Sequence, residues 1–137
     1  MNSTELKSKV CSLGNRIAPR MGGDRKAAFV EAWSIVKAGG LVLPVQGVTF
    51  GNRQEALRRL ASYRPQDVRA VLVPEPSNPA DPAAVAVMVG VQGGRGLYRL
   101  GYVPRTMAPV VAVLGRQLPR LAVVEGTSRG ARITLGA

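Results

Sequence analysis

Asn78 and Asp81 stand three residues apart in PEPSNPADPAAVAV, residues 74–87, where four prolines fall within nine positions just ahead of an apolar run. A carboxamide and a carboxylate at this spacing can do two kinds of work. Pro79 follows Asn78 and Pro82 follows Asp81, so both residues are pushed out of the helical region. Their side chains can then accept backbone N–H groups a residue or two beyond the proline, as Asx turns. A carboxylate has lone pairs to spare, so Asp81 can hold its own turn and still accept a hydrogen bond from a ligand. For Asn78 the turn is the plainer role.

Little else in the chain could do chemistry. There is no histidine, which removes the usual general base and the commonest transition-metal ligand. Cys11 is the single cysteine, so no internal disulfide, thiolate zinc site or Cys–His pair can form. No GxxxxGK[ST] phosphate loop occurs. The five carboxylates after residue 40, Glu55, Asp67, Glu75, Asp81 and Glu125, are scattered without an obvious pair. These absences predict a binder without cofactor or metal rather than an enzyme.

The charge suggests what is bound. Nineteen Lys and Arg oppose eight Asp and Glu, a formal charge of +11 at pI 11.3, and such a surface attracts polyanions, nucleic acid before membrane. A charged coat kept for solubility is the plain alternative. Residues 1–40 carry seven basic and three acidic side chains, and residues 41–137 carry twelve and five, so the charge is spread through the chain. There is no signal-peptide pattern and no apolar run of membrane-spanning length, which predicts a cytoplasmic protein that does not enter the membrane.

The elements that must position these residues change type at Gly39-Gly40. Before it, Leu6, Val10, Leu13 and Ile17 mark one helix, opened by Ser3 or Thr4 and ended near Pro19. Asp24 caps a second, with Phe29, Ala32, Trp33 and Val36 as its apolar stripe, so residues 1–40 are expected to form a helical hairpin. Trp33 is read as a core or interface residue, and the stripe leaves room for self-association. Beyond Gly40 come short strands parted by Gly and Pro, the grammar of a small barrel or sandwich. LVLPVQGVTF is a strand broken at Pro44 and Gly47. NRQEALRRLASY is a helix capped by Asn52, and VRAVLVPEP, AVAVMVGV and LYRLGYVP are strands. Thr106 opens the helix MAPVVAVLGRQL, and LAVVEG and ARITLG close the fold around TSRG.

Three stretches, taken in order, resemble the HIRAN domain family over about residues 41–130. Asn78-Pro79-Ala80-Asp81 with Ala84-Val85-Ala86-Val87 is similar to the family's N-P-x-D-x-x-A-V-x-V motif. Leu100-Gly101-Tyr102-Val103-Pro104-Arg105, followed by Ala108, is similar to its G-Y-[IV]-P-x-x-x-A segment. Val45-Gln46-Gly47-Val48-Thr49-Phe50 resembles its opening strand. Outside the domain, AFVEAWSIVKAG is similar to an F-x-x-A-W-x-x-x-K segment of small bacterial and phage proteins.

The resemblance implies a mainly β fold with α, a small OB-like β-barrel with two helices spanning 41–137, preceded by the hairpin of 1–40. It also implies binding of single-stranded DNA at 3′ ends, in the setting of replication forks and repair. Carried over, Phe50 would stack on a base, Asp81 would accept from the 3′-hydroxyl, and Arg105 would hold phosphate. Asn78 and Tyr102 belong to the same motifs, and Tyr102 either lines the site or packs into the barrel. Arg53, Arg58, Arg59 and Arg64 would extend a basic track, unless they are a solvated helix face. Ala80 stands where end-binding members carry an aromatic, so half of a base sandwich is absent unless Tyr98 or Tyr102 replaces it. Thr49 stands where a basic residue would help. The alternative of another class is an adaptor that docks on a helicase or nuclease, and RNA binding by the same surface is a third reading.

Overall fold

The computed structural model describes residues 2–114, 119–124 and 129–136. It opens with two helices, α1 (Ser3–Ile17) and α2 (Arg25–Ala38). The cap of α1 is Asn2 rather than Ser3 or Thr4: its Oδ1 accepts the Glu5 N–H at 2.8 Å, satisfying one of the orphan donors of the first turn. Asp24 caps α2 as expected, accepting from the Ala27 N–H at 3.0 Å. Pro19 sits in a 3-10 turn, Ala18–Met21, that joins the helices, and Gly22 takes a left-handed conformation at φ 68° to close it.

The buried face of α2 differs from the expected stripe. Ala28, Ala32, Ile35 and Val36 are buried, whereas Trp33 is 40% exposed and Val30 points outward with it. The cause lies on α1. Gly14 leaves a notch that receives the Phe29 ring, which turns the helix so that small residues face the contact and Trp33 reaches the rim. Trp33 is therefore not a core residue of this chain. Lys37 lies over its ring at 5.7 Å.

Six strands follow among the described residues: β1 (Gly40–Pro44), β2 (Val68–Pro74), β3 (Val85–Val91), β4 (Tyr98–Tyr102), β5 (Arg120–Val124) and β6 (Gly130–Gly136). They form two three-stranded antiparallel sheets, ordered β1-β6-β5 and β2-β3-β4. The chain after β1 joins them. Val45 donates to Ala131 of β6 at 2.9 Å, and Gln46 then exchanges both backbone hydrogen bonds with Tyr102 of β4, at 2.8 and 2.9 Å. On the opposite side β2 and β5 run alongside each other with Cα pairs within 8 Å, and among the described residues no strand ladder joins them.

Two further helices cover the sheets, α3 (Arg53–Leu60) and α4 (Ala108–Leu114). Asn52 precedes α3 as expected, but its side chain makes no capping bond. Thr106 does not open α4; it lies in a 3-10 turn, Arg105–Met107, that leads into the helix. The expected C-terminal part of α4, residues 115–118, and residues 125–128, which take in Glu125 at the end of the expected strand LAVVEG and the start of TSRG, lie outside the described residues.

One buried cluster unites all of this. Ile17 and Ile35 of the helical hairpin, Leu57 of α3, Val87 and Leu100 of the second sheet, Val110 of α4, and Ile133 and Leu135 of β6 belong to it. The hairpin is therefore packed on the strands, and Arg16 of α1 donates to the Val113 carbonyl of α4 at 3.0 Å across the contact.

Candidate functional site

The proline-rich loop between β2 and β3 is built by the two side chains that its sequence singles out. Asn78 Oδ1 accepts the backbone N–H groups of Ala80 and Asp81, at 2.9 and 3.1 Å. Asp81 Oδ1 accepts from the Ala83 N–H at 2.9 Å, and the loop is closed at its base by Glu75 N–H donating to the Ala84 carbonyl at 2.9 Å. Both residues thus form the expected Asx turns. Their remaining capacity differs. The Asn78 amide donates inward to Glu75 Oε1 at 3.1 Å, whereas Asp81 Oδ2 pairs with Arg105 Nε at 3.7 Å. Arg105 is 83% exposed, so this pair is loose and open to solvent.

Glu75 is the residue that sequence reasoning missed. Its Oε1 also accepts from the Tyr102 hydroxyl at 2.9 Å, and its Oε2 pairs with Arg99 Nη2 at 2.6 Å. Residues 99 and 102 of a regular strand would project to opposite faces. Here Val87 pairs with Gly101 and Met88 with Arg99, so Leu100 is an extra residue, a bulge that brings Arg99 and Tyr102 to one side. The Glu75 carboxyl is held below its usual range, chiefly by the Asn78 hydrogen bond, against its desolvation and with help from Tyr102 and Arg99. The Tyr102 hydroxyl is pushed up, first by burial and then by its bond to Glu75. The carboxylate's partners lie up to 27 residues away, so only its place between two prolines at a strand end marked it in the sequence.

The Phe50 turn is the second wall. Gly47, at φ 80°, reverses the chain after the Gln46 bridge, and its carbonyl accepts from Arg53 Nη1 at 2.7 Å. Gln54 fixes the turn from below, its Nε2 donating to the Val48 and Arg129 carbonyls at 3.1 and 2.7 Å and its Oε1 accepting from the Arg129 N–H at 2.9 Å. Phe50 is left 69% exposed, with the Arg53 guanidinium 5.9 Å from its ring centre.

Two adjoining clefts result. One, of about 600 Å³, is lined by Gln46, Gly47, Phe50, Arg53 and Tyr102. The other, of about 250 Å³, is lined by Asn78, Ala80, Asp81, Arg105 and neighbours, and it shares Gln46 and Tyr102 with the first. Six of the eight residues singled out in the sequence, Phe50, Arg53, Asn78, Asp81, Tyr102 and Arg105, therefore meet in one groove. Tyr102 lines it half-buried, which answers its two readings together. Tyr98 does not reach the place beside Ala80: it pairs with Val89 on the other face of the sheet, and Thr49 is exposed in the Phe50 turn. Arg58 and Arg59 lie farther along α3, where both pair with Glu55, Arg59 at 3.5 Å, and neither lines the groove. Arg64 is likewise drawn off to Asp67 at 3.0 Å.

Among the described residues no group of His, Cys, Asp or Glu is placed to hold a metal ion, and no helix is long and apolar enough to cross a membrane. The HIRAN domain family model matches residues 46–128, more than half of the chain and all of the groove. The chain belongs to the HIRAN domain family. HIRAN is a binding domain associated with nucleic acid rather than a catalytic one. Comparison with curated proteins and with solved structures finds no match.

Proposed function

We propose that the groove binds single-stranded DNA near a free 3′ end, in the setting of replication forks or repair. Phe50 offers a ring face to a base, which stacks without reading sequence. Tyr102, its hydroxyl held by Glu75, supplies the apolar floor on the other side of Gln46 and stands in for the aromatic absent at Ala80. Arg53 and Arg105 meet phosphates at the two ends of the groove. Asn78 acts through the loop, fixing where Asp81 points.

The observation that carries the reading is the state of Asp81. One oxygen is committed to its own turn, and the other is held by a long 3.7 Å pair with an exposed arginine in the wall of the cleft. A carboxylate in the cleft wall accepts from a hydroxyl and repels a phosphate, so it favours a strand that ends over one that continues. Arg105 offsets its repulsion for the phosphate on the strand's inner side.

We read the six strands as an OB-like barrel, opened between β2 and β5, that forms the binding unit of residues 41–137, with the hairpin of 1–40 as its cap. The support is the continuous order β5-β6-β1-β4-β3-β2 that the Gln46 bridge creates. The adaptor reading, docking on a helicase or nuclease, draws on exposed Val30 and Trp33 of α2, which also suit a second copy of the chain.

The test is fluorescence anisotropy of a single-stranded oligonucleotide ending in a 3′-hydroxyl or a 3′-phosphate. Tighter binding of the hydroxyl end, abolished by Asp81→Asn, is the expected result. Equal binding of the two ends overturns end recognition, and no binding at low salt favours the adaptor.

A further inference from the structure

A second cavity, of about 700 Å³, opens between α3 and the β3–β4 hairpin, and recognition of a strand end at Asp81 makes no use of it. Asn52, Arg59, Arg95, Leu97 and Tyr98 line it. Leu97 and Tyr98 are large apolar side chains left exposed side by side. Arg95 at the hairpin tip has no ion-pair partner among the described residues. The acid in the wall, Glu55, is already engaged by Arg58 and Arg59.

The hairpin keeps this hollow open with glycine. A side chain at Gly90 would stand 3.0 Å from the Gly96 carbonyl oxygen, and Gly93 and Gly96 hold positive φ of 80° and 71°. Two arginines and an exposed tyrosine in one lining, with the nearby acid neutralised, suit a polyanion that carries flat faces. The chain links the cavity to the groove. Arg53 lines the groove, and Asn52, the residue before it, lines the cavity.

The geometry points to this cavity as a second contact for the same single strand, taking nucleotides that run past α3 away from the end held at Asp81. The inference rests on the DNA reading of the groove, and it adds the direction in which the strand leaves. Arg59 and Arg95 take phosphates, and Tyr98 takes a base. The Leu100 bulge sets Tyr98 and Tyr102 on opposite faces of β4, so the strand turns about the α3 end of the sheet between them.

The test compares oligo-dT of about 6 and about 16 nucleotides, spanning the range that one OB-type fold occupies. An Arg95→Ala/Tyr98→Ala double variant is expected to lose about tenfold in affinity for the longer strand and under about twofold for the shorter. Its salt slope on the longer strand should become shallower by about 0.7, because one phosphate fewer is neutralised. Arg95→Glu alone, at an exposed turn, repeats the result where folding is not in question. Phe50→Ala should weaken both lengths. If the double variant binds the longer strand as the wild type does while Phe50→Ala weakens it, the second contact is overturned and the groove stands. If neither length binds the wild type, both fail together. Variant-sensitive binding of polyglutamate in place of DNA overturns it in favour of an acidic protein segment.

Discussion

The Tyr102 hydroxyl donates to Glu75 Oε1 at 2.9 Å, and through that carboxylate the aromatic floor of the groove is tied to the loop that carries Asp81. The same group takes the Asn78 amide and pairs with Arg99, so three side chains converge on one that is only 16% exposed. Removing it takes the acceptor from the Asn78, Tyr102 and Arg99 donors at once. Glu75→Ala is expected to cost about 1–3 kcal/mol, read as a lower urea midpoint with unchanged m-value. Glu75→Gln keeps the shape and one acceptor and should cost less.

That carboxylate also makes stability depend on acid. Its folded pKa is depressed, so its contribution is fully present above the unfolded value and is lost as pH falls through the folded one. Tyr102 works at the other end of the scale. Its pKa is raised, so its contribution holds below the unfolded value and is lost as pH rises through the folded one. Urea titrations across pH should show the gap between wild type and Glu75→Gln closing on the acid side. Tyr102→Phe should flatten the alkaline limb. A gap that stays constant with pH would mean that Glu75 is not ionised in this network.

Gly101 is the position where the two sheets meet. A side chain there would collide with the Gln46 carbonyl oxygen and stand 2.7 Å from Val45 Cγ1. Gly101→Ala must therefore push the Gln46 bridge off β4, at a cost of about 1–3 kcal/mol or more. Because both clefts share Gln46 and Tyr102, DNA affinity should fall along with the urea midpoint. A variant that keeps its stability and its groove would show that the bridge is dispensable.

How much of this could be read from the residues follows from the range of each interaction. The Asx turns at Asn78 and Asp81 were legible because proline and the side chain act within three residues. The break of the first strand at Pro44 and Gly47 was legible for the same reason. The bulge at Leu100 was not, since LYRLGYVP reads as a plain alternating strand and the extra residue exists only against β3. Glu75 looked isolated because its partners come from β4 and from the turn it helps to form. Trp33 was read as a core or interface residue from its spacing, and the notch at Gly14 of a neighbouring helix decided that the core half of that reading fails. The absence of an aromatic at Ala80 was visible at once, whereas the placing of Tyr102 in the groove and of Tyr98 on the other face of the sheet depended on the bulge.

Phe50 separates binding from folding most cleanly. It is 69% exposed and stacks on nothing in the core, and its turn is held by Gly47, Arg53 and Gln54 rather than by its ring. Phe50→Ala should leave the melting temperature close to that of the wild type, since exposed substitutions of this kind stay within about 0.5 kcal/mol. Its effect on single-stranded DNA should be about 1–3 kcal/mol, the worth of one stacked base. The loss should persist at high salt, because stacking releases no counterions. Arg53→Ala should behave in the opposite way, with a deficit that shrinks as salt rises. Anisotropy titrations at several salt concentrations separate the two. If both deficits vanished together at high salt, the Phe50 ring would be acting only as a support for the Arg53 guanidinium.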